Sequence, residues 1–225
     1  MILIDLSRDI EHKMAVLPNH PQVVVAPFST HDEVRVADGY SFTTATMAVV
    51  MGDHAGTHVD APSHMIKGAP DLQDVPLQAY FGDAIIADVR HRGGGEAITP
   101  QDLERAVGDI ILPGDRLLLR TDQNQNYDGS SEWMKRAPYV DEVATNWCVE
   151  KRISLIGFDF YHGAIGPDED EHPVRVGDYA RAGIITMPYI RNLDQISKRR
   201  VTLIAFPLNI IGVEASPVRA IVIEH

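Results

Sequence analysis

The chain has 225 residues, which at about 150 residues per domain is one large domain or two very small ones. It is 44% hydrophobic and 23% charged, an ordinary globular composition that excludes intrinsic disorder and a collagen-like or coiled-coil rod. Its net charge of −12 repels phosphate backbones and anionic bilayers, so neither nucleic acid nor a membrane is an expected partner.

In chain order, Val- and Ile-rich runs bounded by Gly, Pro or Asp predict strands at residues 2–6, 23–28, 42–51, 84–89, 116–121, 153–160, 184–189, 201–207 and 218–223. The opening MILIDLSRDI has neither a charged leader region nor a long apolar one, and no apolar run approaches 18 residues. Thr99 before Pro100, with Asp102 at the third helical position, predicts a capped helix running to about Val107 and ending at Gly108. Asp141 opens a second helix to about Arg152, and a third short one is expected near residues 176–182. The polar stretches 122–131 and 161–172 read as loops able to present site residues. Many strands with few helices between them indicate one mixed α/β domain over residues 1–225, with a central mixed sheet or flattened barrel. Cys148 is the only cysteine and lies within the second helix, so no intrachain disulfide can form and a cytoplasmic location is expected.

The chemistry concentrates in MGDHAGTHVDAPSHM, residues 51–65, which holds His54, His58, Asp60 and His64. Imidazole is the commonest metal-binding side chain, and a carboxylate neutralises charge on a divalent ion. In extended chain His58 and Asp60 point to one side, and Gly56 lets the backbone turn so that His54 joins them. That leaves two imidazoles and one carboxylate on one face of a cation, with open positions for water. His64 follows Ala61-Pro62-Ser63, where a short helix can start. Ala55 stands where the Glu of an H-E-x-x-H zinc motif would be, so that class is excluded.

HAGTHVDAPSH resembles the H-x-G-T-H-x-D-x-P-x-H signature of the metal-dependent cyclase-like hydrolases, the family that includes bacterial kynurenine formamidase. The resemblance extends over the chain: Ile4-Asp5-Leu6-Ser7 with Leu17-Pro18, Gly82-Asp83-Ala84, Gly114-Asp115-Arg116, Gly157-Phe158-Asp159 and Ser216-Pro217-Val218-Arg219-Ala220 are similar to family segments. It implies a swivelling β/β/α fold, a homodimer or homotetramer, and a small-molecule substrate. It implies His54, His58 and Asp60 as ligands of a first zinc or manganese ion, His64 as proton donor and acceptor, and His172 as a ligand of a second ion. Leu17 stands where the family has an aromatic substrate contact, and Pro188 where it has the second ion's Glu. Asp178, Glu171 and His162 are the nearby groups that can replace that Glu, so one ion is expected and a second is open.

A divalent ion with open positions lowers the pKa of water to about 7, which suits hydrolysis of a formamide-type amide such as N-formylkynurenine, or of a cyclic imide or lactone. No G-x-S-x-G nucleophile motif is present. Two other classes use the same residue types. A non-haem iron oxygenase also takes two His and a carboxylate, though not in this compact spacing, and a metal- or ligand-binding member would bind an ion without turnover.

Overall fold

The computed structural model describes residues 1–16, 20–162 and 176–224. Among these described residues are fifteen strands and four α-helices. They are β1 (Ile2–Asp5), β2 (Val24–Ser29), β3 (Val34–Ala37), β4 (Tyr40–Thr43), β5 (Thr46–Val50), β6 (His58–Asp60), β7 (Phe81–Asp88), β8 (Ala97–Ile98), α1 (Pro100–Val107), β9 (Arg116–Arg120), α2 (Ser131–Lys135), β10 (Tyr139–Val140), α3 (Glu142–Lys151), β11 (Leu155–Phe158), α4 (Val176–Arg181), β12 (Ile185–Met187), β13 (Arg200–Ile204), β14 (Ala215–Pro217) and β15 (Ile221–Glu224).

Nine strands form one mixed sheet in the order β1-β15-β13-β7-β9-β11-β12-β6-β14. Its middle, β7-β9-β11-β12, is parallel, and both flanks are antiparallel. The expected central mixed sheet is therefore present. Its two faces bury separate apolar layers, as the two-residue period of strands requires. From β7, Ala84 and Ile86 face one layer while Ile85 and Ala87 face the other, and from β9 Leu118 opposes Leu117 and Leu119. Helices cover the second layer with Leu103 and Val107 of α1, Trp147 and Cys148 of α3, and Tyr179 of α4.

The helix signals act as their chemistry dictates. The Thr99 side chain accepts from the Asp102 N–H while the Asp102 carboxylate accepts from the Thr99 N–H, a reciprocal cap with Pro100 in the first turn. Asp141 caps α3 by accepting from the Ala144 N–H. The basic run Lys198-Arg199-Arg200 is an ion-paired edge: Arg199 bonds Asp109 at 2.7 Å, and Arg200 bonds Asp83 and Asp115 at 2.9 Å each.

The expected single strand at 42–51 is two. β4 ends at Thr43 because it pairs back on β3, through a turn in which Asp38 and Gly39 both have positive φ, and β5 pairs instead with β2. Asp-Gly between alternating residues is the two-residue hairpin signal that marks this turn. The loop at 122–131 contains a 3-10 turn (Gln123–Asn126) and the start of α2. Strands β2 to β5 stand outside the main sheet as a β3–β4 hairpin and a separate antiparallel β2–β5 pair, with Phe28, Val34, Val36, Tyr40, Met47 and Val50 exposed.

Candidate metal centre

The short strand β6 carries the centre. It lies between β12 and β14, with Asp60 opposite Thr186 on one side and Ala215 on the other. Alternation sends Val59 into the apolar layer and turns His58 and Asp60 together to the opposite face. Upstream, Gly56 has φ +65°, and a Cβ on it would stand 3.1 Å from the Ile10 side chain. Only glycine tolerates that conformation at that closeness, and the turn it makes returns His54 to the other two. Residues His54, His58 and Asp60 thus converge, each able to offer one ligand atom to a common ion.

The polar atoms here are mismatched in an informative way. His58 Nδ1 lies 2.8 Å from the Gly56 carbonyl. A carbonyl only accepts, so Nδ1 carries a proton and, in the neutral ring, Nε2 presents a lone pair. That lone pair faces Asp60 Oδ1 at 3.3 Å. Asp60 Oδ2 accepts from Thr186 Oγ1 at 2.7 Å, whereas Oδ1 is out of solvent and without a hydrogen bond, although His54 Nδ1 stands 3.0 Å away. Burial would push the Asp60 carboxyl up, but the imidazoles of His58 and His54 hold it well below the usual carboxylate range. With His58 neutral these two buried acceptors would face each other at 3.3 Å, and a proton or a metal ion between them satisfies both. The donor set fits a divalent metal ion.

His64 ends the 3-10 turn Pro62–His64, the short helix expected there, and its ring centroid is 4.3 Å from that of His54. Desolvation in the cleft, opposed by Asp60 and reinforced by His54, lowers it below the ordinary imidazole value. At neutral pH it is therefore mainly an uncharged imidazole, packed against the His54 ring.

Two further groups approach that sequence reasoning did not find. His20 sets its ring edge-on to His54 at 5.2 Å. Glu214 places Oε1 at 3.9 Å from His54 Nε2 and completes a second ligand group with His54 and His64. Glu214 precedes β14, and its carbonyl accepts from the Ala61 N–H at 2.7 Å, so the sheet pairing brings it to the site from 154 positions away. Its only signal in the sequence is its place beside the Ser216-Pro217 segment.

The cleft over these residues encloses about 150 Å³. Its other walls include Arg8, Met14, Tyr127, Tyr161, His162 and Tyr189. His162 stacks on Phe158 at 4.9 Å and 9°. Its Nδ1 is out of solvent without a partner, and burial pushes it down to about 4, so it too is neutral. Of the groups weighed as replacements for the Glu missing at Pro188, only His162 among the described residues lines this cleft. Asp178 is bonded to Arg181 on α4, and Glu171 lies outside the described residues. Pro188 follows β12, and Tyr189 beside it turns to the cleft with φ 61°. His172 and Leu17 also lie outside the described residues. Asp159 of the Gly157-Phe158-Asp159 segment is a buried clamp, accepting from the backbone of Thr121 and Asp122 and from the Thr121 hydroxyl.

Comparison with known proteins places this geometry. The kynurenine formamidase of Bacillus cereus is 30% identical over 220 residues, spanning 97% of this chain and 96% of its own. That of Salinibacter ruber is 27% identical over 222 residues, 98% and 97% of the two chains. Isatin hydrolase A from Labrenzia aggregata, solved with benzyl benzoate, shares the fold at a TM-score of 0.82 and 23% identity over 98% of this chain and 93% of its own. A "predicted metal-dependent hydrolase" from Bacillus stearothermophilus superposes at 0.72 with 25% identity, over 98% and 97%. A family model described as putative cyclase matches residues 4–162, and the chain belongs to that cyclase family.

Proposed function

We propose that this chain is a metal-dependent hydrolase of C–N amide bonds, acting on a formamide-type substrate such as N-formylkynurenine. The observation that carries the reading is the convergence of His54, His58 and Asp60, with His58 Nε2 3.3 Å from Asp60 Oδ1, in a cleft that also holds His64. His54, His58 and Asp60 would hold the ion. Zinc or manganese suits two nitrogens and one oxygen. Such an ion supplies Lewis acidity, lowering the pKa of water and polarising a carbonyl oxygen.

The chain's own groups then divide the work. Thr186, donating to Asp60 Oδ2, fixes the carboxylate's orientation, and the Gly56 carbonyl fixes the tautomer of His58. His64 takes a proton from the attacking water and returns it to the leaving nitrogen. His162, neutral and unpartnered at Nδ1, is available to hydrogen-bond the bound substrate. Tyr161 and Tyr189 wall the cleft against bulk water.

One ion per chain is the stoichiometry we infer. His54 turns Nδ1 to Asp60 and Nε2 to Glu214, so a second ion at Glu214 and His64 would have to share the same imidazole with the first. Metal-stripped protein is expected to be inactive on N-formylkynurenine and to regain turnover with close to one zinc or manganese bound per chain. Metal bound without turnover would move the reading to a cyclic imide, to a cyclic amide, for which isatin is the first test, or to a lactone.

We also propose a homo-oligomer, dimer or tetramer, supported by the exposed apolar side chains of Phe28, Val34, Val36, Tyr40, Met47 and Val50 on strands β2 to β5 outside the main sheet. Light scattering is expected to give twice or four times the 24.9 kDa of one chain; 24.9 kDa itself would refute it. A lone buried thiol, Cys148, suits a reducing cytoplasm.

A further inference from the structure

Arg8 follows β1 and forms part of the wall of the metal cleft. Its N–H donates to Thr57 Oγ1 at 2.9 Å, so it is tied to the residue next to His58. Its guanidinium carbon lies 3.2 Å above the Tyr127 ring centroid and 5.7 Å from those of Trp133 and Tyr189. Aromatic faces attract a cation but leave the in-plane N–H donors unspent. Nε and Nη2 are out of solvent and have no hydrogen-bond partner. Burial lowers Arg8 to about 10, which still leaves it charged at neutral pH.

A purely structural arginine would be answered by acceptors, as others here are. Arg116, more deeply buried, donates to the carbonyls of Ala79 and Gly114. The acids nearest in the chain are engaged elsewhere: Asp5 with Arg219 at 2.7 Å and Asp9 with Arg191 at 3.2 Å. Asp128, which shares the adjoining cleft with Arg8, accepts from Ser130 Oγ at 2.6 Å. Among the described residues no carboxylate pairs with Arg8. Nε and the adjacent Nη2 form one edge of the guanidinium fork, the edge that binds two oxygens of a planar carboxylate at once.

We propose that Arg8 is the specificity residue of this cleft, binding a carboxylate carried by the substrate away from the scissile amide while Tyr127 and Tyr189 pack the substrate's unsaturated body. The proposal rests on the hydrolase reading and narrows it to anionic amides.

The test uses the metal-loaded full chain and two aryl formamides that differ in charge, N-formylanthranilate and formanilide. The wild type is expected to favour the anion in kcat/KM by about 10- to 100-fold, the range for a hydrogen bond to a charged group. Arg8→Gln is expected to collapse that ratio to within about threefold of one, and Arg8→Lys, which keeps charge but not the fork, to fall between. Binding of benzoate and benzamide, measured by calorimetry, needs no turnover: Arg8→Gln is expected to weaken benzoate about tenfold or more relative to benzamide. Equal use of the two formamides by the wild type, or an unchanged ratio in both variants, would overturn the proposal while leaving the hydrolase standing. Absence of turnover with an Arg8-dependent preference for benzoate would do the reverse. Should Arg8→Gln fail to fold, the Lys variant carries the same comparison.

Discussion

Asp60→Asn is expected to abolish metal binding and turnover together while leaving the fold in place. The substitution keeps the side chain's volume, and the amide oxygen can still accept from Thr186 Oγ1 across the β6–β12 pairing. What changes is the atom facing His54 Nδ1 and His58 Nε2, 3.0 and 3.3 Å away. A neutral amide there neither charges the ion site nor sets an anionic oxygen between the two imidazoles. Metal affinity is expected to fall by more than about 100-fold, beyond what loss of an outer partner costs, and kcat by about 1,000-fold or more. Thermal melting of the metal-free variant is expected within about 5 °C of the metal-free wild type. Metal content by elemental analysis, melting and turnover on one preparation check all three. Full activity in this variant would remove His54, His58 and Asp60 as the ion's holders.

How far this site was readable in advance follows from the distances along the chain. His54, His58, Asp60 and His64 lie within eleven residues, so strand alternation, one glycine turn and one proline-led 3-10 turn suffice to predict their convergence. The caps of α1 and α3 were legible for the same reason, being set within four residues. Glu214, His20 and Arg8 were not. Glu214 reaches His54 only because β14 pairs antiparallel with β6, and nothing local to residue 214 encodes that register. Arg8 looks like any surface arginine until its donors are counted against the acids already engaged around it. The hairpin at 34–43 carried a local signal, Asp38-Gly39, yet its strands lie outside the main sheet and expose both faces, so no buried alternation marked them as strands. What the chain encodes locally is the convergence of His54, His58, Asp60 and His64; the rest of the cleft is a property of the sheet order.

His64→Ala decides whether the fourth member of the cluster moves protons or holds metal. Its ring packs 4.3 Å from that of His54, and with Glu214 it forms the second possible ligand group, so geometry allows either role. As a proton carrier it sits outside the ion's shell, and its removal is expected to leave one ion per chain while lowering kcat by about 100- to 10,000-fold, the range for loss of a general acid–base. KM is expected to change far less, and added imidazole to restore part of the rate by filling the space the side chain leaves. Glu214→Gln sharpens the comparison. If Glu214 acts through the charge it places near His54 and His64, the Gln variant is expected to keep its ion and lose less rate than His64→Ala. Loss of the ion in both variants would instead make His64 and Glu214 ligands. The proton-carrying role would then pass to another imidazole of the cleft, His20 or the buried His162, which burial holds near 4 and whose Nδ1 has no partner.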